Sequence, residues 1–201
     1  NPLITGKILT RILNLIQIKI WHLDRFQGRN FKRRIILGFL LLDFFLTYPE
    51  YDYYWTIEDD VVFSGKWGTL FDYYSNDATD MISAHIKSFS EAPQWEWWDS
   101  LNTGLDIIKK ENIICAFNPV YRLSHRALQY VHESLLNGWK GHAEVVISTI
   151  LKHNNLSIKD FGGTGNFVPI GEENLFYDNQ THSHVALSIQ AIRQDIIYHP
   201  I

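Results

Sequence analysis

A chain of 201 residues that is 46% hydrophobic is long enough for one core, or one and a fragment of another, and too apolar for disorder. Its single cysteine, Cys115, excludes an intramolecular disulfide and fits a reducing compartment. Net formal charge is −4, yet residues 1–34 carry eight Lys and Arg against one acid, Asp24, and the rest carries ten basic and twenty-one acidic residues. Apolar residues at Ile4, Ile8, Leu9, Ile12, Leu15 and Ile16 repeat at helical spacing and predict an early amphipathic helix. A second helix is predicted from Lys32 to Leu46, ending near Pro49. Tyr51–Ile57 reads as a strand, Ser64-Gly65 as a turn and Trp67–Tyr74 as a short helix. Asp80–His85 is a second strand, Glu91–Asn102 an aromatic loop, and Ile113–Phe117 a strand ending before Asn118-Pro119. Leu123–Leu136 is helical with Ser124 placed to cap it, and Ala143–His153 is another helix after the Gly138 and Gly141 breaks. Ser157–Phe161 and Ile196–His199 are short strands. Strands alternating with helices predict an α/β sandwich around a mixed or parallel sheet.

The basic leading segment before an acidic body suits a nucleotide diphosphate or an anionic lipid surface, or is simply a solvated helix face. Nucleic acid is disfavoured by the acidic body and the lack of a binding motif. Polar residues interrupt every apolar run of positions 1–34, so no signal peptide is recognisable. Ile35 to Leu46, broken by Asp43, is too short for a membrane span of ~20 residues. The expectation is a cytoplasmic protein, with peripheral contact at the inner membrane face left open. The chain does not begin with Met, which suggests a processed or truncated piece.

Chemistry concentrates in four segments. Tyr53–Phe63 holds an aromatic, β-branched run that ends in Glu58-Asp59-Asp60 and returns at once to apolar residues. Alternation puts Glu58 and Asp60 on one side and Asp59 on the other. Two such carboxylates at a strand end suit Mg²⁺ or Mn²⁺, although an exposed acidic turn fits the spacing equally well. Gly138–Glu144 leads into a helix whose dipole favours an ionised Glu144, either as a general base or merely as a helix-start acid. Phe161–Phe167 has three glycines in four positions, whose amides could face phosphate. Trp95-Glu96-Trp97-Trp98-Asp99 packs three tryptophans too closely for one core face, so at least one is expected at a surface or cleft where it could stack on a sugar, and the others in ordinary packing. His182-Ser-His184 can chelate by spacing, but no acid or cysteine is near it in sequence. His199 stands beside a terminal strand, within reach of the acidic site or as a surface histidine.

In order, the segments YPEYDYYWTIEDDVVFSGKWGTLF, NPVYRLSHRAL, GWKGHAEVVISTIL, DFGGTGNF and YHP, from Tyr48 to the end of the chain, resemble nucleotide-sugar-dependent glycosyltransferases of the GT-A fold, close to a bacterial group. The resemblance implies a three-layer sandwich around a mixed, mostly parallel sheet. It implies a single domain over 1–201, with 1–47 a basic helical lead and 48–201 the motif-bearing part. It further implies that Glu58 and Asp60 bind a divalent cation (Mn²⁺ or Mg²⁺), that His199 adds a ligand, and that Glu144 is the base of an inverting transfer. Asp59, Arg122, Gly162 and Gly163 then fall on the donor side, and Trp95, Trp97, Trp98 and His142 on the acceptor side. The partners implied are a nucleotide-sugar donor and a glycan or glycolipid acceptor. Asp59 stands where the group carries an aromatic residue, so which two carboxylates hold the ion stays open. The opening strand that holds the nucleotide base is not recognisable before Tyr53, which again suggests truncation. A non-catalytic carbohydrate-binding module and a metal-dependent phosphoesterase are the competing readings.

Overall fold

The computed structural model describes residues 36–182 and 193–199. The early amphipathic helix, the basic residues 1–34 and His184 lie outside them, as does the end of the YHP segment. The chain divides into residues 1–33 and residues 34–201, and everything that follows belongs to the second part.

Helix α1 (Ile36–Thr47) is apolar at nearly every position, with Leu46 half exposed near its C-terminal end. It buries Leu41, Leu42 and Phe45 in the main core together with residues of the motif-bearing part. Strand β1 (Tyr53–Ile57), β2 (Val62–Phe63), helix α2 (Trp67–Tyr73) and β3 (Met81–Ser88) follow. After the aromatic loop come β4 (Asn102–Thr103), β5 (Ile114–Ser124), α3 (His125–Leu136), β6 (Trp139–Lys140), α4 (Ala143–His153), β7 (Ile158–Asp160) and β8 (Ile197–Tyr198). Ser124 caps α3 as its position predicts, its Oγ accepting from the Ala127 amide at 3.0 Å.

The central sheet has the order β1-β5-β3-β7. β5 runs antiparallel to both β1 and β3, and only β3 and β7 are parallel. The sheet is therefore mixed but mostly antiparallel, which corrects the mostly parallel expectation. The physical reason lies between β3 and β5: a parallel return needs a long crossover, commonly a helix, and an irregular loop with short 3₁₀ turns stands there instead.

Alternation along the strands sends side chains to two cores. Met81, Ile114, Ala116 and Leu123 pack under α1, α3 and α4 with Val131, Val146 and Ile150. Ile82, Ala84 and Val120 pack on the other face with Leu70, Phe71 and Tyr74 of the α2 region and with Phe161, Tyr177 and Ile197. Two irregularities break the β3–β5 ladder. Between Ile82 and Ala84 the partner jumps from Arg122 to Phe117, and between Ala84 and Lys87 it moves only from Phe117 to Cys115. β5 thus carries extra residues around Asn118-Pro119, so the strand continues through Pro119 instead of stopping at Phe117. Proline is tolerated because it lacks the amide a regular ladder needs and a bulge does not. The extra residue of β3 lies at His85, whose φ of 46° is left-handed.

Candidate metal centre

The acidic segment reaches its place through two strand pairings. β1 ends at Ile57, opposite Val120, and the Glu58 amide then donates to the Pro119 carbonyl at 2.8 Å. Glu58 to Val61 form a turn closed by Val61 N to Glu58 O at 3.3 Å, and Val61 is buried as its anchor. β2 follows at once and pairs antiparallel with β8, Val62 against Tyr198 and Phe63 against Ile197. Extending that register by one residue carries His199 to the acidic turn. Its Nε2 lies 3.7 Å from Glu58 Oε2 and 3.4 Å from Asp60 Oδ1. One ligand atom from each of Glu58, Asp60 and His199 falls within 4.8 Å of the other two. Two carboxylates and an imidazole so placed can hold one divalent cation, and this donor set fits the predicted ion. Asp59 is exposed and is not one of the three.

His199 is fixed from behind. Its side chain is 9% exposed, its amide donates to Thr181 O at 2.9 Å, and it forms a parallel bridge with His182. Its ring lies edge-on to Phe117 at 5.3 Å and tilted on His182 at 5.5 Å. His182 is wholly buried and stacks on His85, so it backs His199 while its predicted partner His184 lies outside the described residues. Sequence reading missed the supporting roles of His85 and Phe117. Their contacts depend on the two strand irregularities, and only Pro119 hints at one of them.

Glu144 occupies the first turn of α4, where the helix dipole favours its ionised form. Its side chain is 13% exposed, and its Oε2 is 3.9 Å from His142 Nδ1. His142 stacks on Trp97 with ring centres 4.1 Å apart and planes 11° apart, and its amide donates to Ser100 Oγ. Two of the predicted acceptor residues thus stand beside the predicted base. Burial pushes the Cys115 thiol up to about 12, and the Glu144 charge nearby adds to the rise. Cys115 and Phe117 lie on one face of β5, about 7 Å apart along the strand. Phe117 lies edge-on to His199, so β5 carries one neighbour of the triad and, at Cys115, one residue within the field of Glu144.

Other predicted residues are engaged elsewhere. Arg122 is 2% exposed and donates to the carbonyls of Tyr74, Asp77 and Thr79 at 2.7–3.0 Å, with the Tyr53 ring over its guanidinium. It clamps the 74–79 turn from inside the fold. The amides of Gly162 and Gly163 donate to the buried Asp160 Oδ1 at 3.0 and 3.1 Å, so they are not turned toward phosphate. Glycine is needed there for packing: a Cβ on Gly163 would stand 2.2 Å from the Tyr177 hydroxyl. Trp98 donates from Nε1 to Ala92 O at 2.8 Å, packs on Phe89 and lines a cavity of about 270 Å³ with Leu101 and Ile108. Trp95 is half-buried in the same loop.

Comparison with family models, with curated proteins and with solved structures found no match. Among the described residues no helix is long and apolar enough to cross a membrane.

Proposed function

We propose that this protein is a glycosyltransferase that moves a sugar from a nucleotide-diphosphate donor to a hydroxyl of a glycan or glycolipid, with metal assistance and inversion. The observation that carries the reading is the convergence of Glu58, Asp60 and His199 from opposite ends of the described chain. Glu144 and the Trp97–His142 stack beside the same strand add a base and a sugar platform to it. A divalent ion held by the triad would neutralise charge on the diphosphate. Glu144 takes the proton of the acceptor hydroxyl as its oxygen bonds to the anomeric carbon. The bond from that carbon to the diphosphate breaks, and its electron pair leaves with the diphosphate. Trp97 and His142 offer a flat surface on which an acceptor ring can lie while Glu144 is positioned at its hydroxyl. A carbohydrate-binding module would use the stack without the triad, and a phosphoesterase would use the triad without the stack.

Calorimetric titration with UDP and with GDP, in Mn²⁺ and then in EDTA, tests this. One nucleotide should bind in Mn²⁺ and be lost in EDTA. Glu144→Gln should keep that affinity while slowing transfer at least about 100-fold, the scale of general-base loss. Glycan binding that needs neither nucleotide nor metal would instead support the binding-module reading, and phosphate release from simple esters without an acceptor the phosphoesterase.

A further inference from the structure

His85 sits inside β3 with φ at 46°, a conformation that costs a non-glycine residue energy and is kept only where surrounding contacts demand it. Here three contacts demand it. The His85 amide donates to the Tyr177 hydroxyl oxygen at 2.7 Å, and that hydroxyl donates in turn to Asp160 Oδ1 at 2.7 Å. The next amide, Ile86, donates to Asp160 Oδ2 at 3.0 Å. The buried Asp160 thus grips both sides of the bulge, one directly and one through Tyr177. The consequence is that the His85 ring leaves the ladder and its Nε2 reaches the carbonyl of His182. A carbonyl only accepts, so Nε2 carries the proton. The two rings then stack with centres 5.9 Å apart and planes 3° apart.

What this bond holds is the segment that presents His199. Thr181 O accepts the His199 amide, and His182 bridges His199 backbone to backbone. Glu58 and Asp60 leave β1 on a short turn tied to Pro119, so their side of the site is fixed by the central sheet. The third ligand comes from a segment joined to that sheet at this point through the His85 ring. We propose that His85 is a positioning residue that sets the distance of the His199 imidazole from the carboxylate pair through the His182 carbonyl. This role rests on the triad being a metal site, and it is a role for the ring in addition to any role of the bulge in folding.

Two variants of the 201-residue chain separate ring from backbone. His85→Asn tolerates the left-handed backbone better than most residues, but its amide is too short to reach the His182 carbonyl. His85→Gln places an N–H donor near the position of Nε2, yet tolerates the backbone less well. Each is titrated with Mn²⁺ alone by calorimetry and by the loss of free-ion electron paramagnetic resonance signal, with the thermal midpoint measured alongside. His85→Asn should lose about 10-fold or more in Mn²⁺ affinity, the usual scale for removing a group that orients a ligand. His85→Gln should bind Mn²⁺ more tightly than His85→Asn although it is the less stable protein. An affinity order that simply follows stability, or no loss in either variant, overturns the role of His85 while leaving the metal site intact. A wild-type chain that does not bind Mn²⁺ removes the metal site and this role with it. Should the Gln chain fail to fold, the wild type and a folded Asn variant decide: a 10-fold loss supports the tie, and equal affinity overturns it.

Discussion

Asp60 is the most accessible member of the triad, its side chain 46% exposed, so truncating it removes one of the oxygens that could hold the ion without opening a cavity. Asp60→Ala should leave folding stability within about 0.5 kcal/mol, as surface substitutions do, and weaken Mn²⁺ at least about 10-fold by calorimetry. An unchanged Mn²⁺ isotherm would show that this carboxylate is not a ligand. At this scale the sequence was informative where a residue's chemistry forces its surroundings. Glu58 and Asp60 were visible because two carboxylates between apolar runs require either water or a cation. For Arg122, Gly162 and Gly163, residue type says nothing about which carbonyl or carboxylate a donor meets. Arg122 found three main-chain carbonyls and the two glycines found Asp160, all inside the fold.

Two buried clamps tie elements together, and each makes a prediction. Asp80, 2% exposed, precedes β3 and accepts from Arg126 at the start of α3, from the Ser124 cap and from Ser157 before β7. Burial alone would raise its pKa, but these hydrogen bonds outweigh it and hold the carboxyl near about 2, against 3.8 ordinarily. A depressed pKa means stability present in full above the unfolded value and lost as pH falls through the folded one. Asp80→Asn should therefore cost about 1–2 kcal/mol at pH 7, discounted because Arg126 is exposed and screened. The gap from wild type in urea should shrink as pH drops from about 4 toward about 2. A gap that stays constant over that range would contradict the assignment. Arg122→Ala strands the carbonyls of Tyr74, Asp77 and Thr79 and should cost about 3 kcal/mol or more. Nucleotide affinity of the folded fraction should not change, whereas a lost isotherm would return Arg122 to the donor site. Elements with strong local signals were legible: the Ser124 cap, the apolar α1 and the glycine breaks before α4 all stand where sequence places them. β2, β4, β6 and the second half of β5 were not. Two-residue strands have no period to read, and Pro119 marks an end unless a bulge accommodates it.

Over the whole molecule, the triad exists only when the chain is folded, since Glu58 and His199 are brought together by the β2–β8 pairing. Binding to the folded state alone raises its stability by about 2.7 kcal/mol when the ion is at 100 times its dissociation constant. Mn²⁺ should thus raise the thermal midpoint of the wild type, EDTA should reverse the rise, and His199→Ala should lose most of it. An equal rise in His199→Ala would place the ion elsewhere. The alternation of strands and helices revealed an α/β protein with a mixed sheet. It did not reveal strand direction, because the β3–β5 connection has the length of a crossover but lacks its helix.

The central claim is that Glu58, Asp60 and His199 together hold one divalent ion. Anomalous scattering at the manganese edge, from crystals of the full chain grown with Mn²⁺, tests it most directly. The account predicts one strong peak within bonding reach of a carboxylate oxygen of Glu58, one of Asp60, and Nε2 of His199. A triad without a peak, in crystals where manganese is bound at other carboxylates, would contradict it.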